Sequence, residues 1–201
     1  MSDLFDPQSG TLTGNHVRLE PLALTHAQDL LVAGEDLAVW RYMLCAPPTT
    51  NEAMRGYIEG ALKDAEGGRQ IPFATVLIES GKAIGSTRYL EILRNDGGLE
   101  IGWTWIGKPW QRTAANTECK YLLMRHAFED LGALRVMLKT DGRNEKSQKA
   151  IARIGGKREG VLRRNRRIWD GFVRDTVVYS ILDSEWPEAK AALEARLSAG
   201  S

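Results

Sequence analysis

Residues 106–131 read Ile-Gly-Lys-Pro-Trp-Gln-Arg-Thr-Ala-Ala-Asn-Thr-Glu-Cys-Lys-Tyr-Leu-Leu-Met-Arg-His-Ala-Phe-Glu-Asp-Leu. The run leading into them, 99–106, is rich in β-branched and aromatic side chains and predicts a strand. Gly107-Lys108-Pro109 breaks it, and an apolar helical pattern follows over 119–131. Gln111 to Asn116 therefore lies at a strand-to-helix junction. Small side chains leave its backbone N–H groups accessible, and Arg112 adds a fixed positive charge where a helix dipole begins. Such a place favours an anion, and a phosphate ester is the commonest biological one. The same residues also suit an ordinary turn capped by Asn116 or Thr117, with Glu118 in the first helical turn.

The order of elements around this stretch sets the fold class. Strands over 71–79 and 82–92 are joined by Ser80-Gly81, and the second leads to 99–106 through Asn95-Asp96-Gly97-Gly98, so the three are expected as antiparallel neighbours. A strand over 135–140 follows the helix, which implies a parallel crossover beside that meander. Residues 16–22 predict a first strand, and 157–163 with 173–182 a closing hairpin. Helices are expected over 26–33 behind Thr25, 52–66 behind Asn51, 144–154 and 187–197. Residues 40–48, apolar and ended by Pro47-Pro48, read as a covering loop or short helix. The expected architecture is a single α/β (α+β) domain, with a mixed, mostly antiparallel sheet of about six or seven strands and helices on both faces. Residues 1–15 are polar and expected as a flexible lead-in, 16–183 as the folded domain, and 184–201 as a C-terminal helix and tail.

Composition narrows the function classes. A chain of 201 residues, 43% hydrophobic and 26% charged, can bury a proper core as one globular domain. A net charge of +1 argues against whole-surface nucleic-acid binding, although 157–167 is locally basic, with six Lys or Arg among eleven residues. Cys45 and Cys119 read as reduced thiols, no apolar run approaches a membrane span, and no basic-then-apolar leader opens the chain; the expectation is a cytoplasmic protein. His16, His26 and His126 do not cluster, so no metal is expected, and Gly-Lys-Ser/Thr is absent.

Trp110-Gln111-Arg112-Thr113-Ala114-Ala115-Asn116, taken with Asn144-Glu145-Lys146-Ser147 and Ile154-Gly155-Gly156, resembles the GNAT superfamily of acyl-CoA N-acyltransferases, and within it the ribosomal-protein N-terminal acetyltransferase branch. The resemblance runs from about residue 17 to 182. It implies acetyl-CoA as co-substrate and a primary amine as acceptor, with the backbone of Gln111, Arg112, Thr113, Ala114, Ala115 and Asn116 holding the pyrophosphate. Ala114 stands where the family usually has its first glycine, and alanine does not supply positive φ cheaply. The resemblance further implies a splay between the fourth and fifth strands that admits pantetheine, a cofactor wall at Trp105 and Ile106, and Asn144 bonding the pantetheine arm. An N–H near Ile106 or Gly107 would polarise the thioester carbonyl in the manner of an oxyanion hole.

Two side chains carry the expected chemistry. Alternation over 99–106 puts Leu99, Ile101, Trp103 and Trp105 on one face, and Glu100, Gly102, Thr104 and Ile106 on the other. A carboxylate beside the gap at Gly102 is placed to accept a proton from an amine, directly or through water; the plainer reading of Glu100 is a solvated strand end. Ser147 shares a helical face with Ala150, Ile151 and Ile154, where an apolar residue would be usual. Many relatives place a thiolate-protonating tyrosine later in this helix. Residues 150–154 hold no tyrosine, so Ser147 takes that role or the role is not needed; a hydroxyl bonded back to the Asn144 cap is the structural alternative. Two other functions compete with transfer: a non-catalytic acyl-CoA-binding sensor, and an RNA-binding module using 157–167. The oligomeric state is open, a homodimer included.

Overall fold

A computed structural model describes residues 5–199. Its strands are β1 (Leu12–Thr13), β2 (Val17–Pro21), β3 (Ile71–Leu77), β4 (Ala83–Leu93), β5 (Gly98–Ile106), β6 (Arg135–Asp141), β7 (Lys157–Arg167) and β8 (Val173–Leu182). Its helices are α1 (Ala27–Ala33), α2 (Asn51–Ala65), α3 (Ala114–Arg125), α4 (Glu145–Arg153) and α5 (Trp186–Ser198). The strands make one sheet in the order β1-β2-β3-β4-β5-β6-β8-β7, antiparallel everywhere except between β5 and β6. The expected meander and crossover are both present. The sheet has eight strands because the two-residue β1, too short to register in any sequence window, pairs with β2.

Both sheet faces are covered. Leu99, Ile101, Leu122, Leu123, Val136 and Leu193 belong to the core beneath α3 and α5; Leu30, Trp40, Met54, Ile58 and Trp105 belong to the core beneath α1 and α2. Each fully buried side chain of this size contributes about 1.5–3 kcal/mol.

The expected facing of β5 is overturned beyond residue 102. Arg88 pairs with Gly102 and Ser86 with Trp105, so Thr87 stands opposite two residues, and the extra one, Trp103, takes φ 50°. This β-bulge reverses the alternation. Trp105 passes to the α1/α2 side, the side of Glu100, while Ile106 passes to the α3 side.

The lead-in is also better anchored than its composition suggests. Phe5 is buried in the core, and Asp6 pairs with Arg94 at 2.6 Å. Buried Glu118 accepts hydrogen bonds from the backbone N–H groups of Asn15, His16 and Val17 at 2.8, 2.7 and 2.8 Å. A Cβ on Gly14 would lie 2.4 Å from that carboxyl carbon, so glycine is what lets the chain approach. Glu118 is thus not a first-turn acid: α3 starts at Ala114, four residues earlier. The remainder of the expected lead-in, residues 1–4, and the end of the expected tail, 200–201, lie outside the described residues.

Candidate active site

β5 and β6 pair only where Gly98, Leu99 and Glu100 meet Arg135, Val136 and Met137. Beyond those residues both strands continue, to Ile106 and Asp141, but no longer toward each other. The result is an opening in the middle of the sheet. Glu100 stands at its floor, 6% exposed, with Oε2 2.7 Å from Lys139 Nζ. Lys139 also reaches Glu91 at 3.3 Å. Burial pushes the Glu100 carboxyl above its ordinary range, and the hydrogen bond and charge of Lys139 only partly offset this. A Cβ on Gly102 would fall 2.8 Å from Glu100 Oε1, so the gap seen in the sequence is the space the carboxylate occupies.

At the far end of β5 the chain turns into α3. Thr113 is the N-cap, yet its hydroxyl donates to the Trp110 carbonyl at 2.8 Å and makes no cap bond. The cap expected at Asn116 or Thr117 therefore falls at Thr113 and is unfilled, leaving the first-turn N–H groups without a side-chain acceptor. The left-handed residue of the loop is Arg112, at φ 64°, while Ala114 is already helical; the missing glycine is not required at that position. The Ala115 side chain is buried in the core, so only its backbone faces the loop's work. Gln111 donates to the Ile106 carbonyl at 3.0 Å and accepts from Lys146 of α4 at 2.5 Å, linking the loop to the far side of the opening.

Asn144 is the N-cap of α4: its Oδ1 accepts the Ser147 N–H at 3.0 Å. Ser147 is half-buried, and in its helix only Ile151 is fully buried, so the apolar stripe expected around Ser147 is incomplete on that face. The side chains of Trp105 and Ile106 sit in the two cores: Trp105 donates to the Tyr57 hydroxyl at 3.1 Å and packs on Trp40 at 4.7 Å. The N–H of Gly107 is taken by the Ile84 carbonyl at 2.9 Å, which removes it as an oxyanion donor.

Besides Lys139, three basic residues near the opening escaped the sequence reading. Lys120 on α3 donates to Thr104 Oγ1 at 2.8 Å and has no carboxylate within 4 Å among the described residues; burial lowers its ammonium to about 8. Its helical spacing from Asn116 was a usable signal. Arg88, 2% exposed, lies 4.4 Å from the Trp103 ring centroid. Arg174 on β8 donates to the Tyr42 carbonyl at 3.1 Å, within the segment 40–48 that reads as a covering loop or short helix. Arginines on strands carry no periodic signal of burial, and only pairing placed these two.

The Acetyltransferase (GNAT) domain family matches residues 16–157. The chain belongs to this family. An eight-stranded sheet opening between β5 and β6 is thus the GNAT fold, here with its strands and crossover in the expected order. The chain is similar to a candidate acetyltransferase solved from T. thermophilus, at 44% identity and TM-score 0.86, covering 95% of this chain and 98% of that one. It is also similar to a GCN5-related N-acetyltransferase from Brucella melitensis, at 30% identity and TM-score 0.89, covering 98% and 91%. A candidate ribosomal N-acetyltransferase, YdaF of Bacillus subtilis, is 36% identical over 91 residues, 45% of this chain and 49% of its own. Among the described residues no helix is long and apolar enough to cross a membrane, and no group of His, Cys, Asp and Glu is arranged to hold a metal.

Proposed function

We propose that this GNAT protein transfers an acetyl group from acetyl-CoA to a primary amine, either a protein N-terminal α-amine or a small amine, by direct attack. The observation that carries this reading is Glu100 at the floor of the β5–β6 opening, with the unfilled N-cap of α3 just past its far end. Acyl-CoA suits these residues. The first-turn N–H groups of α3 and the loop Gln111, Arg112, Thr113, Ala114, Ala115 and Asn116 would hold the pyrophosphate, with the helix dipole favouring its charge. Asn144, whose oxygen is engaged by Ser147, has its amide NH₂ left for the pantetheine arm.

In this reading the amine nitrogen attacks the thioester carbonyl, the carbon–sulfur bond breaks, and one proton leaves the nitrogen. Glu100 takes that proton, directly or through water. Ser147 passes one to the departing thiolate and regains it from solvent water, and the proton taken by Glu100 is released to solvent, so that protons balance. The name of YdaF, a candidate ribosomal N-acetyltransferase, supports the choice of acetyl over longer groups and of a ribosomal protein among the acceptors. The test is a CoA-release assay with acetyl-CoA against peptide N-termini, polyamines and amino acids. Release that depends on an amine supports transfer; tight CoA binding with no release across the panel turns the reading to an acyl-CoA sensor.

A further inference from the structure

Among the described residues, three buried side-chain polar atoms have no hydrogen-bond partner: Arg88 Nε, Arg174 Nε and Thr176 Oγ1. Two of them share one place. Arg174 and Thr176 are two apart on β8 and so point to the same face, and Thr176, 1% exposed, pairs with Asp141 two residues beyond the Lys139–Val178 pair. Lys139 on that face holds Glu100. Orphan atoms of this kind are uncommon, and each costs about 1–3 kcal/mol when left unpaired.

The charges around them do not close. Lys139 is matched by Glu100 and Glu91, and Arg143 grips Asp141 through two hydrogen bonds at 3.0 and 2.8 Å. Among the described residues Arg174 has no carboxylate within 4 Å; its one hydrogen bond goes to a backbone carbonyl. Directly opposite it in the β7–β8 register stands Arg166, a like charge that disfavours the pair unless an anion lies between or beside them. Burial and Arg166 both work to lower the Arg174 guanidinium, against the attraction of Asp141 and Glu100.

We propose that the acceptor carries a carboxylate within a few bonds of its reactive amine, and that Arg174 Nε and Thr176 Oγ1 receive it while the amine faces Glu100. The proposal rests on the acetyltransferase reading and names its acceptor class. That carboxylate has two sources: the α-carboxylate of a free amino acid, or the side chain of an acidic first residue in a peptide.

The experiment measures kcat/KM at fixed acetyl-CoA for two matched pairs: alanine against alaninamide, and amidated Asp-Ala-Ala against amidated Asn-Ala-Ala. The expected result is a preference of about tenfold to a hundredfold for the anionic member of one pair, which identifies the source, as loss of a charge-assisted hydrogen bond implies. Arg174→Gln should remove the preference by lowering only the anionic member, and Thr176→Val should weaken it, both with CoA affinity by calorimetry unchanged. Equal kcat/KM within both pairs of the wild-type protein overturns the carboxylate site while leaving acetyl transfer standing. Acetylation of no amine at all overturns the acetyltransferase reading, and the site with it.

Discussion

Glu100 and Met137 are the last residues at which β5 and β6 hold together, and everything assigned to the acyl donor lies beyond that pair. A sheet that stayed paired would seal the opening. A carboxylate placed one residue further along would lie in it rather than at its floor.

Glu100→Gln keeps the shape and removes the base. Turnover should fall roughly a hundredfold near pH 7. A free α-amine has a pKa of about 8, so above that much of it needs no base and the defect should shrink. Because burial holds the Glu100 carboxyl above its ordinary range, the acid limb of the wild-type profile should begin above the usual carboxylate pKa of about 4.3 and be absent in the variant. A defect constant from pH 6 to 9.5 would reassign Glu100 to structure.

An added negative charge tests the α3 N-terminus. Ala115 is buried in the core, so half-buried Ala114 is the place for it. Ala114→Glu should weaken CoA binding by calorimetry more than tenfold, above about 1.4 kcal/mol, and Ala114→Gln less. Equal affinities in folded variants would remove the loop from the pyrophosphate site.

Ser147→Ala should leave the denaturation midpoint almost unaltered, since alanine suits a helix interior. Its cost in kcat should stay under about tenfold, because a CoA thiolate is a tolerable leaving group. Wild-type rates would return Ser147 to a packing role.

Lys120 makes a pH-dependent prediction. Its ammonium is lowered from 10.5 to about 8, so between those values the unfolded chain binds more protons and stability rises with pH. Below pH 8 both forms are charged and the whole penalty remains. The difference of about 2.5 pH units sets a ceiling near 3 kcal/mol, reduced because the residue is partly exposed. Lys120→Met should therefore raise the unfolding free energy at pH 7 by about 1–3 kcal/mol, and by less at pH 9.5. Urea titrations giving the same gain at both values would show that the ammonium is not held in a desolvated place.

Glu118→Ala should cost about 2–4 kcal/mol, since three backbone N–H groups lose a shared carboxylate acceptor. Hydrogen exchange should rise first at residues 15–17. Protection unchanged there would mean the hairpin holds itself.

The meander, the crossover, the helix after the loop and the cap at Asn144 were legible in the amino-acid sequence, because each depends on signals a few residues apart: Gly-bearing turns, apolar periodicity, an Asn three residues before Ser147. The position of Glu100 beside Gly102 was legible for the same reason. The crossing of Trp105 and Ile106 to opposite faces was not, since a bulge at Trp103 adds one residue against β4, and its partner strand decides that. Glu118 read as a helix-start acid because its true partners, Asn15, His16 and Val17, lie more than a hundred residues away. Lys139 comes to Glu100 only through an ion pair across the β5–β6 boundary, and Arg174 and Thr176 come to the face of β6 that carries Lys139 only through β6–β8 pairing. Burial, pairing and the divergence of two parallel strands are properties of the assembled sheet, and no single stretch of chain contains them.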